Sequence, residues 1–422
     1  MKESILHYVW QNKLFTSQNL ATTVGEQVEI IDVGRINTDA GPDFFNAKIR
    51  MGNTIWAGNV EIHSCSSDWN KHNHQSDKAY DSIILHVVSI ADTNVYRIDG
   101  TQIPQLELKF PTQIETNYKQ LFSQLKWIPC SDKINLVPEI FIQSWKSALL
   151  SERLEQKMNS IESLLNQNNQ HWEEAFYITV ARSFGFGTNS QAFESLAKSL
   201  PISILGRHKD QLFQLEALLF GQAGLLDLEE YDEYTSQLKK EYSFLRSKYE
   251  LIPMDHSQWK MLRLRPVNFP HVRIAQFAAL IHSSTKLFSK IVENPNLEFL
   301  RKLFECETSS YWNSSYLFAK DSSLKIKRLG NQSINGILLN AVIPFLFCFA
   351  SQKNNDELKD KTLQILEQIP AERNSIISGW LNLGLKIDNA FDSQALLQLK
   401  KQYCDQKKCL HCRIGHKVLT LQ

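Results

Sequence analysis

The hydrophobic periodicity of this chain changes once, between residues 112 and 138, and this change constrains the fold more than any other feature. Upstream, apolar and polar residues alternate in short stretches such as Phe44 to Met51, and turn-forming residues separate the stretches. Alternation with a period of two is typical of β-strands. Downstream from Pro138, apolar residues recur every three or four positions, as in amphipathic helices. The sequence therefore predicts an α+β protein: a β-rich N-terminal domain, a large all-helical domain and a C-terminal cysteine tail.

These patterns divide the chain into three predicted segments. Residues 1–130 are the β-rich domain with an N-terminal helix, 131–395 the helical domain and 396–422 the cysteine-containing tail. Within the first segment, Gly52-Asn53 predicts a hairpin turn and Ser82 to Ser89 a nearly continuous apolar strand. The clearest predicted helices lie at 171–184, 190–199, 272–283, 294–304, 333–350, 356–368 and 372–383.

Composition restricts the class of protein. Hydrophobic residues make up 43% and charged residues 22% of the chain, which is typical of a folded globular protein. The first residues read as an amphipathic helix rather than a secretion signal. The longest apolar run, Ile337 to Ala350, is interrupted by Asn340 and Pro344 and predicts a buried core helix rather than a membrane span. We therefore predict a cytoplasmic protein without membrane contact.

The tail carries three cysteines within nine residues: Cys404, Cys409 and Cys412. The C-x-x-C pair can bind one metal centre with two thiolates, and the third thiolate arrives from upstream. A tetrahedral zinc or a cubane iron–sulfur cluster needs one more ligand. Cys130 is the remote candidate, whereas His411 and His416 are the local ones. If Cys130 is the ligand, the metal joins the tail to the end of the N-terminal domain. The alternative is a group of ordinary buried thiols.

The β-rich segment also carries a pattern of acidic residues. Asp43, Glu61 and His63 resemble the core of the PD-(D/E)xK nucleases, in which an Asp on one strand and a Glu-x-Lys on the next hold a divalent cation such as Mg²⁺ or Mn²⁺. This resemblance implies that Asp43 and Glu61 hold the cation and that His63 orients or deprotonates water. This chain departs from that core because position 63 is histidine instead of lysine. Lys48 is a lysine nearby, but by simple alternation from Asp43 it points the other way. The alternative is a polar, solvent-facing sheet surface.

Histidines are enriched just after this pattern. His72 and His74 lie in a predicted loop, where they could bind zinc, manganese or iron together with His63 or Glu61. They are equally compatible with exposed polar residues. His86 lies within an apolar strand, and we predict a hydrogen-bonded core histidine.

Three arginines form a further candidate site. Arg263, Arg265 and Arg273 flank a proline-bounded turn before a predicted helix, where guanidinium groups suit phosphate oxygens. Internal ion pairs that anchor the turn are the alternative. The net charge of +1 argues against wholesale electrostatic binding of nucleic acid, although a local basic groove remains compatible with it.

Several longer motifs resemble one family over nearly the whole chain. That family is the 2851 family of domains of unknown function, a bacterial family found mainly in Bacteroidetes. The resemblance implies no activity. The matching stretches are Asn37 to Ile49, Gly58 to His63, Ser67 to Trp69, His72 to His74, Arg265 to Pro270 with Arg273, and the cysteine tail.

Three functional hypotheses follow from these residues. The first is a metal-dependent, nuclease-like phosphodiesterase with a structural zinc or iron–sulfur site at the cysteines, and with nucleic acid as a partner. The second is a non-enzymatic, metal-stapled scaffold or binding module. The third is a hydrolase that uses the loop histidines to bind a transition metal.

Overall fold

The computed structural model describes residues 3–123, 126–227, 232–284 and 286–421, and it confirms the α+β class. Its contacts divide the chain into two compact units. The first unit comprises the chain up to Trp145 together with the residues from Leu399 onward, and the second unit is Lys146–Gln398. The cysteine tail therefore belongs to the same unit as the N-terminal sheet.

The strands are β1 (Val28–Asp32), β2 (Arg35–Ile36), β3 (Phe44–Met51), β4 (Thr54–Cys65), β5 (Ile83–Ile90), β6 (Gln105–Glu107), β7 (Ser315–Leu317) and β8 (Lys320–Asp321). The α-helices are α1 (Glu3–Gln11), α2 (Asp68–Lys71), α3 (Thr112–Ser123), α4 (Glu139–Gln167), α5 (Trp172–Phe184), α6 (Ser190–Ser199), α7 (Ile202–Gly206), α8 (Leu212–Gln222), α9 (Glu233–Tyr249), α10 (Pro270–Ser283), α11 (Leu287–Glu293), α12 (Leu297–Leu303), α13 (Asn331–Ile337), α14 (Ile343–Gln352), α15 (Asp356–Gln368), α16 (Ser375–Asn382), α17 (Ala390–Gln398) and α18 (Arg413–Leu419).

The sheet of the first unit is mixed. Its order is β1-β3-β4-β5-β6, and β2 also pairs with β3. Strands β1, β3 and β4 form an antiparallel meander, whereas β4, β5 and β6 run parallel to one another. A parallel neighbour requires a crossover connection. That connection, which contains α2, is the segment that carries two of the candidate histidines.

Strand β4 changes from exposed to buried along its length. Its first residues, from Thr54 to Ala57, are exposed, but all four residues from Val60 to His63 are buried. Gly58 permits the close approach of β5, because a Cβ atom there would lie 2.4 Å from Ile84 Cγ2. Helix α2 and the segment after it contribute Trp69 and Tyr80 to an apolar cluster, and neither face of this part of β4 is open to solvent.

Helix α1 brings a polar edge to the sheet. Ile5, Leu6, Val9 and Trp10 are fully buried, and the indole of Trp10 donates a hydrogen bond to the Val33 carbonyl (3.0 Å). This packing fixes the helix against the sheet of the first unit. The polar side chains of the same helix then point toward the ends of β3 and β4, as described below.

The second unit is helical, and its elements follow the predicted periods closely. Helices α6 and α15 span the predicted residues 190–199 and 356–368. Helix α16 begins at Ser375 because the side chain of Asn374 accepts a hydrogen bond from the Ile377 N–H and caps the helix. The stretch Asn331–Gln352 is long and apolar enough to cross a membrane, and 67% of its most apolar window is buried inside the protein. Such burial is typical of a core helix, and the cytoplasmic location stays a prediction.

Candidate metal centre

Two carboxylates meet where β3 begins beside β4. Asp43 directly precedes β3, and the pairing of Phe44 with Val60 places it beside Glu61. The Asp43 N–H donates to Glu61 Oε2 (3.2 Å), and the Ile62 N–H donates to Asp43 Oδ2 (2.9 Å). Each carboxylate is therefore positioned by the backbone of the other strand. The sequence pattern placed these two residues on neighbouring strands, and the structure brings them together.

Three histidines surround the inner carboxylate. His63 lies two residues beyond Glu61 and so shares its face of β4. His72 and His74 come from the end of the α2 segment, where Asn73 adopts a left-handed conformation (φ 61°) that asparagine tolerates well. One ring nitrogen from each of the three histidines lies within 4.8 Å of the other two. The loop histidines are thus not isolated surface residues.

The distances within this group suit a metal ion. His63 Nε2 lies 3.1 Å from His72 Nδ1 and 3.6 Å from Glu61 Oε1, and His74 Nε2 lies 3.3 Å from the same oxygen. Metal–nitrogen bonds of about 2.0–2.1 Å in a tetrahedron place neighbouring ligand atoms roughly 3.3–3.5 Å apart. The three imidazole nitrogens form a group that could hold a metal ion, and the Glu61 oxygen lies near ligand spacing from two of them.

A second layer of aromatic residues orients these ligands. The fully buried His86 contacts His63 Nδ1 through its Nε2 (2.8 Å), so the other nitrogen of His63 faces His72 and Glu61. The ring of Tyr80 stacks on His74 with 3.8 Å between centroids. Metal-binding histidines commonly engage their second nitrogen in this way, which fixes the ring and the tautomer. The prediction of a hydrogen-bonded core histidine at position 86 is confirmed.

Burial keeps the imidazoles of His63 and His86 neutral. Burial, followed by the neighbouring His86, His74 and His72, lowers the pKa of His63 to about 3. Burial also lowers the pKa of His86 to about 4. Burial and the adjacent Asp43 raise the pKa of Glu61 to about 9. Neutral imidazoles keep a lone pair for a metal, whereas the Glu61 carboxyl would release its proton when a cation binds.

This arrangement predicts how pH affects the metal-free protein. The folded-state pKa of Glu61 lies above its ordinary value of 4.5, so its contribution to stability is full below pH 4.5 and is lost as pH rises through about 9. We expect Glu61→Gln to be more stable than wild type in EDTA at pH 8, by up to a few kcal/mol since each pKa unit is worth about 1.4 kcal/mol. Thermal unfolding at pH 5 and pH 8 measures this, and equal melting temperatures at pH 8 would contradict it.

Helix α1 adds two residues that the sequence patterns did not single out. His7 Nε2 lies 3.3 Å from Asp43 Oδ2 and 3.8 Å from Glu3 Oε1. Burial alone would lower the pKa of His7, but the nearby carboxylate of Asp43, together with the charge of Glu3, raises it. The i,i+4 spacing of Glu3 and His7 on an otherwise apolar helix was the available signal. Only the packing of α1 against the sheet identifies which groups they meet.

The structure also gathers the four cysteines. Cys404 ends a π-helical stretch that begins at Leu399, Cys409 begins a 3₁₀ turn, and Cys412 precedes α18. Burial and then the nearby Cys412 and Cys409 thiols raise the pKa of Cys130 to about 12. Burial, followed by Cys130, Cys412 and Cys409, likewise raises the pKa of Cys404. The Cys130 thiol is therefore near enough to the thiols of the tail to interact with them electrostatically.

Local contacts shape this cysteine group. Gly415 is required by the turn, because a Cβ atom there would lie 2.1 Å from the carbonyl oxygen of Cys409. Burial raises the pKa of Cys412, and the backbone N–H groups of Gly415 and Ile414 partly oppose that effect. His416 Nδ1 contacts the Tyr8 hydroxyl at 2.6 Å, which leaves its Nε2 for other contacts. The electrostatic interaction of Cys130 with Cys412 and Cys409 favours Cys130 as the fourth residue of the thiol site.

The three arginines do not share one environment. Arg263 and Arg265 are exposed, whereas Arg273 is buried in the second unit. The guanidinium of Arg273 donates to Gln276 Oε1 (2.9 Å) and Asn268 Oδ1 (2.6 Å), and it lies 4.2 Å from the ring centre of Phe186. Burial lowers its pKa to about 10. Arg273 anchors the turn internally, although its hydrogen-bond partners are amides rather than the carboxylates that we expected.

This anchor predicts a clear difference between two arginines. Replacing Arg273 by Ala removes the packing on Phe186 and leaves the amide oxygens of the buried Gln276 and the half-buried Asn268 without this donor. We expect a loss of about 2–4 kcal/mol in the free energy of unfolding. Arg265→Ala, at an exposed position, should change it by less than about 0.5 kcal/mol. Urea unfolding of both variants measures the difference, and similar values would contradict the internal role.

Comparison with known proteins identifies one family. The family described as protein of unknown function (DUF2851) matches residues 3–375, which is most of the chain. The match includes Asp43, Glu61, His63, His72 and His74, but it ends before the cysteines and histidines of the tail. No curated protein and no solved structure matches the chain significantly.

Proposed function

We propose that this chain, which belongs to the family described as protein of unknown function (DUF2851), is a metal-dependent hydrolase. Its metal centre is formed by Glu61, His63, His72 and His74. One observation carries the proposal, namely the chain of close contacts between these four side chains. His63 lies 3.1 Å from His72 and 3.6 Å from Glu61, and His74 lies 3.3 Å from Glu61. The buried His86 contacts the other ring nitrogen of His63 and so orients it.

The ligand set indicates the kind of ion. Imidazole nitrogens with a carboxylate suit zinc, manganese or iron. Such an ion acts as a Lewis acid and lowers the pKa of water that it binds. Glu61 and His63 hold it from the rigid strand, and His72, the exposed member of the group, lies on the side that is open to solvent. His63 serves as a ligand in this proposal rather than as the group that deprotonates water, because both of its ring nitrogens already face histidine partners.

We further propose that the substrate is a phosphodiester, as in the nuclease-like hypothesis. Three features support it: Asp43 and Glu61 come from adjacent antiparallel strands, a helix precedes the sheet, and a further strand follows. Hydrolysis joins the oxygen of water to phosphorus and breaks one P–O ester bond. The proton that water loses passes to a base, and the departing oxygen takes up a proton. Nucleic acid is the partner that this chemistry suggests.

The four cysteines form a separate, structural centre in this proposal. Cys130 joins the three cysteines of the tail, and the four thiolates hold zinc or an iron–sulfur cluster. The electrostatic interaction among these thiols, of which Cys409 and Cys412 are buried and Cys130 and Cys404 are half-buried, supports the assignment. Thiolate ligands suit both kinds of centre. The metal would then join the tail to the segment before α4 within the first unit.

A non-enzymatic scaffold is the second candidate. One observation favours it: His63 and Glu61 are almost fully buried, with 1% and 4% of their surfaces exposed, which also suits a purely structural ion. A structural site has all its positions filled by protein, whereas a catalytic site keeps one position open. Substrate turnover separates the two candidates.

The test is a hydrolysis assay on the full-length protein. Protein stripped with a chelator and reloaded with zinc, manganese or magnesium is incubated with single-stranded DNA, duplex DNA, RNA and bis-p-nitrophenyl phosphate. We expect cleavage that depends on the added ion. Stoichiometric metal binding without turnover of any of these substrates would reject the phosphodiesterase and support the scaffold.

A further inference from the structure

We infer that the histidine centre is one half of a dinuclear metal site, in which Glu61 bridges the two ions and His7 with Asp43 holds the second. The inference rests on the proposed function and extends it. The cation site formed by Asp43 and Glu61 and the site formed by the three histidines then belong to one metal centre. It also assigns a ligand role to His7, a residue that no sequence motif marked.

The first observation concerns His7. Its Nε2 atom is buried and makes no hydrogen bond with acceptable geometry, although it lies 3.3 Å from Asp43 Oδ2. A buried polar nitrogen without a partner is costly, and such atoms in folded proteins point to a missing water or ion. The spacing of 3.3 Å is that of two ligand atoms on one metal ion. A cation between His7 and Asp43 would satisfy both groups.

The second observation is the direction of the two oxygens of Glu61. Oε1 faces the histidines, at 3.3 Å from His74 Nε2 and 3.6 Å from His63 Nε2. Oε2 faces the other side, where it accepts a hydrogen bond from the Asp43 N–H. A carboxylate with its oxygens turned to two ligand groups is arranged as a bridge. Two-metal hydrolytic sites hold their ions roughly 3.5–4 Å apart, a separation that one carboxylate can span.

The third observation is the grouping of carboxylates on the His7 side. His7 Nε2 lies 3.8 Å from Glu3 Oε1 as well as 3.3 Å from Asp43 Oδ2. Among the described residues, the ion-pair partners found for Glu3, Asp43 and Glu61 are imidazoles. Carboxylate oxygens grouped in this way are the ligands that hard divalent cations prefer.

Exposure distinguishes the two positions. The Glu61 side chain is 6% exposed and His63 2% exposed, whereas Asp43 is 22% and His7 23% exposed. The second position therefore lies nearer to solvent, where a substrate oxygen can reach the ion. Two ions in one centre stabilise both the attacking and the leaving oxygen of a phosphoryl group. This arrangement suits the hydrolysis of a phosphate ester.

The experiment counts manganese ions. Mn²⁺ is the probe because it prefers nitrogen and oxygen ligands and leaves the thiolate site to softer metals. The full-length protein, stripped with EDTA, is titrated with Mn²⁺ and followed by electron paramagnetic resonance and native mass spectrometry. We expect two bound ions per chain and the spectrum of a spin-coupled pair. His7→Ala and Asp43→Asn should each bind one ion and lose the coupled spectrum, and His256→Ala, at an exposed position in the second unit, should still bind two.

The outcomes separate this inference from the proposed function. One bound ion in wild type, or two in His7→Ala with the coupled spectrum intact, would overturn the dinuclear centre while leaving the histidine site in place. Two coupled ions without hydrolysis of any phosphodiester would reject the proposed function and retain the dinuclear site. Circular dichroism of the variants identifies any loss of fold, and Asp43→Asn provides the second variant if His7→Ala fails to fold.

Discussion

Replacing Glu61 by Gln lowers metal-dependent hydrolysis by roughly 10²–10⁴-fold while the protein remains folded. A Lewis-acidic ion contributes several kcal/mol of transition-state stabilisation, and each 1.4 kcal/mol is a factor of ten in rate. Glutamine keeps the size of the side chain and an oxygen that can accept the Asp43 N–H hydrogen bond, but it loses the charge that holds the ion. Steady-state rates on bis-p-nitrophenyl phosphate at saturating Mn²⁺ or Zn²⁺ measure the effect.

The matched control is Glu29→Gln. Glu29 lies on β1 of the same sheet, is exposed and pairs with Arg50 away from the histidines. We expect its rate to equal that of wild type. Because Glu61→Gln is expected to stabilise the metal-free protein at pH 8, a lower rate in that variant does not reflect unfolding. An unchanged rate in Glu61→Gln would contradict the assignment of this carboxylate to the metal.

Replacing Cys404 by Ser removes the metal of the cysteine site and destabilises the first unit. Metal binding to a structural thiolate site contributes directly to folding free energy. We expect a loss of about 3–5 kcal/mol, which lowers the melting temperature by roughly 10 °C for a unit of this size. Zinc, iron and acid-labile sulfide analysis, with differential scanning calorimetry, measures both parts of the prediction.

Cys348→Ala is the control for the cysteine site. Cys348 is buried in the second unit, so its replacement tests the loss of a buried thiol without touching the four. We expect this variant to keep the full metal content. Equal metal content in Cys404→Ser and wild type would show that Cys404 is not a ligand, and loss of metal in Cys130→Ser would show that the remote cysteine is one.

Local periodicity predicted much of the fold. The change from alternation to a helical period correctly placed the boundary between the β-rich and helical parts. Observed helix ends differ from the predicted ends by a few residues, and caps such as Asn374 account for such differences. The hairpin at Gly52 joins β3 to β4 as predicted. These features depend on residues that are close in the sequence. A short window of sequence is therefore sufficient to predict them.

The environment of the candidate site was harder to predict, because it depends on distant parts of the chain. Alternation marked Glu61 and His63 as one polar face of β4, but the segment with Trp69 and Tyr80 covers that face and buries both residues. The crossover to the parallel strand β5 is what brings His74 to Glu61. His7 reaches Asp43 only because α1 packs against the sheet. None of these contacts has a signature within a short window of sequence.

The most direct test of the metal centre is anomalous X-ray diffraction from crystals of the full-length protein reloaded with zinc or manganese. The account predicts an anomalous peak about 2 Å from His63 Nε2 and Glu61 Oε1, with His72 and His74 completing its ligands. A second peak beside Asp43 and His7 would support the dinuclear centre. Peaks confined to the cysteines, with hydrogen-bonded histidines and no peak beside Glu61, would contradict the central claim.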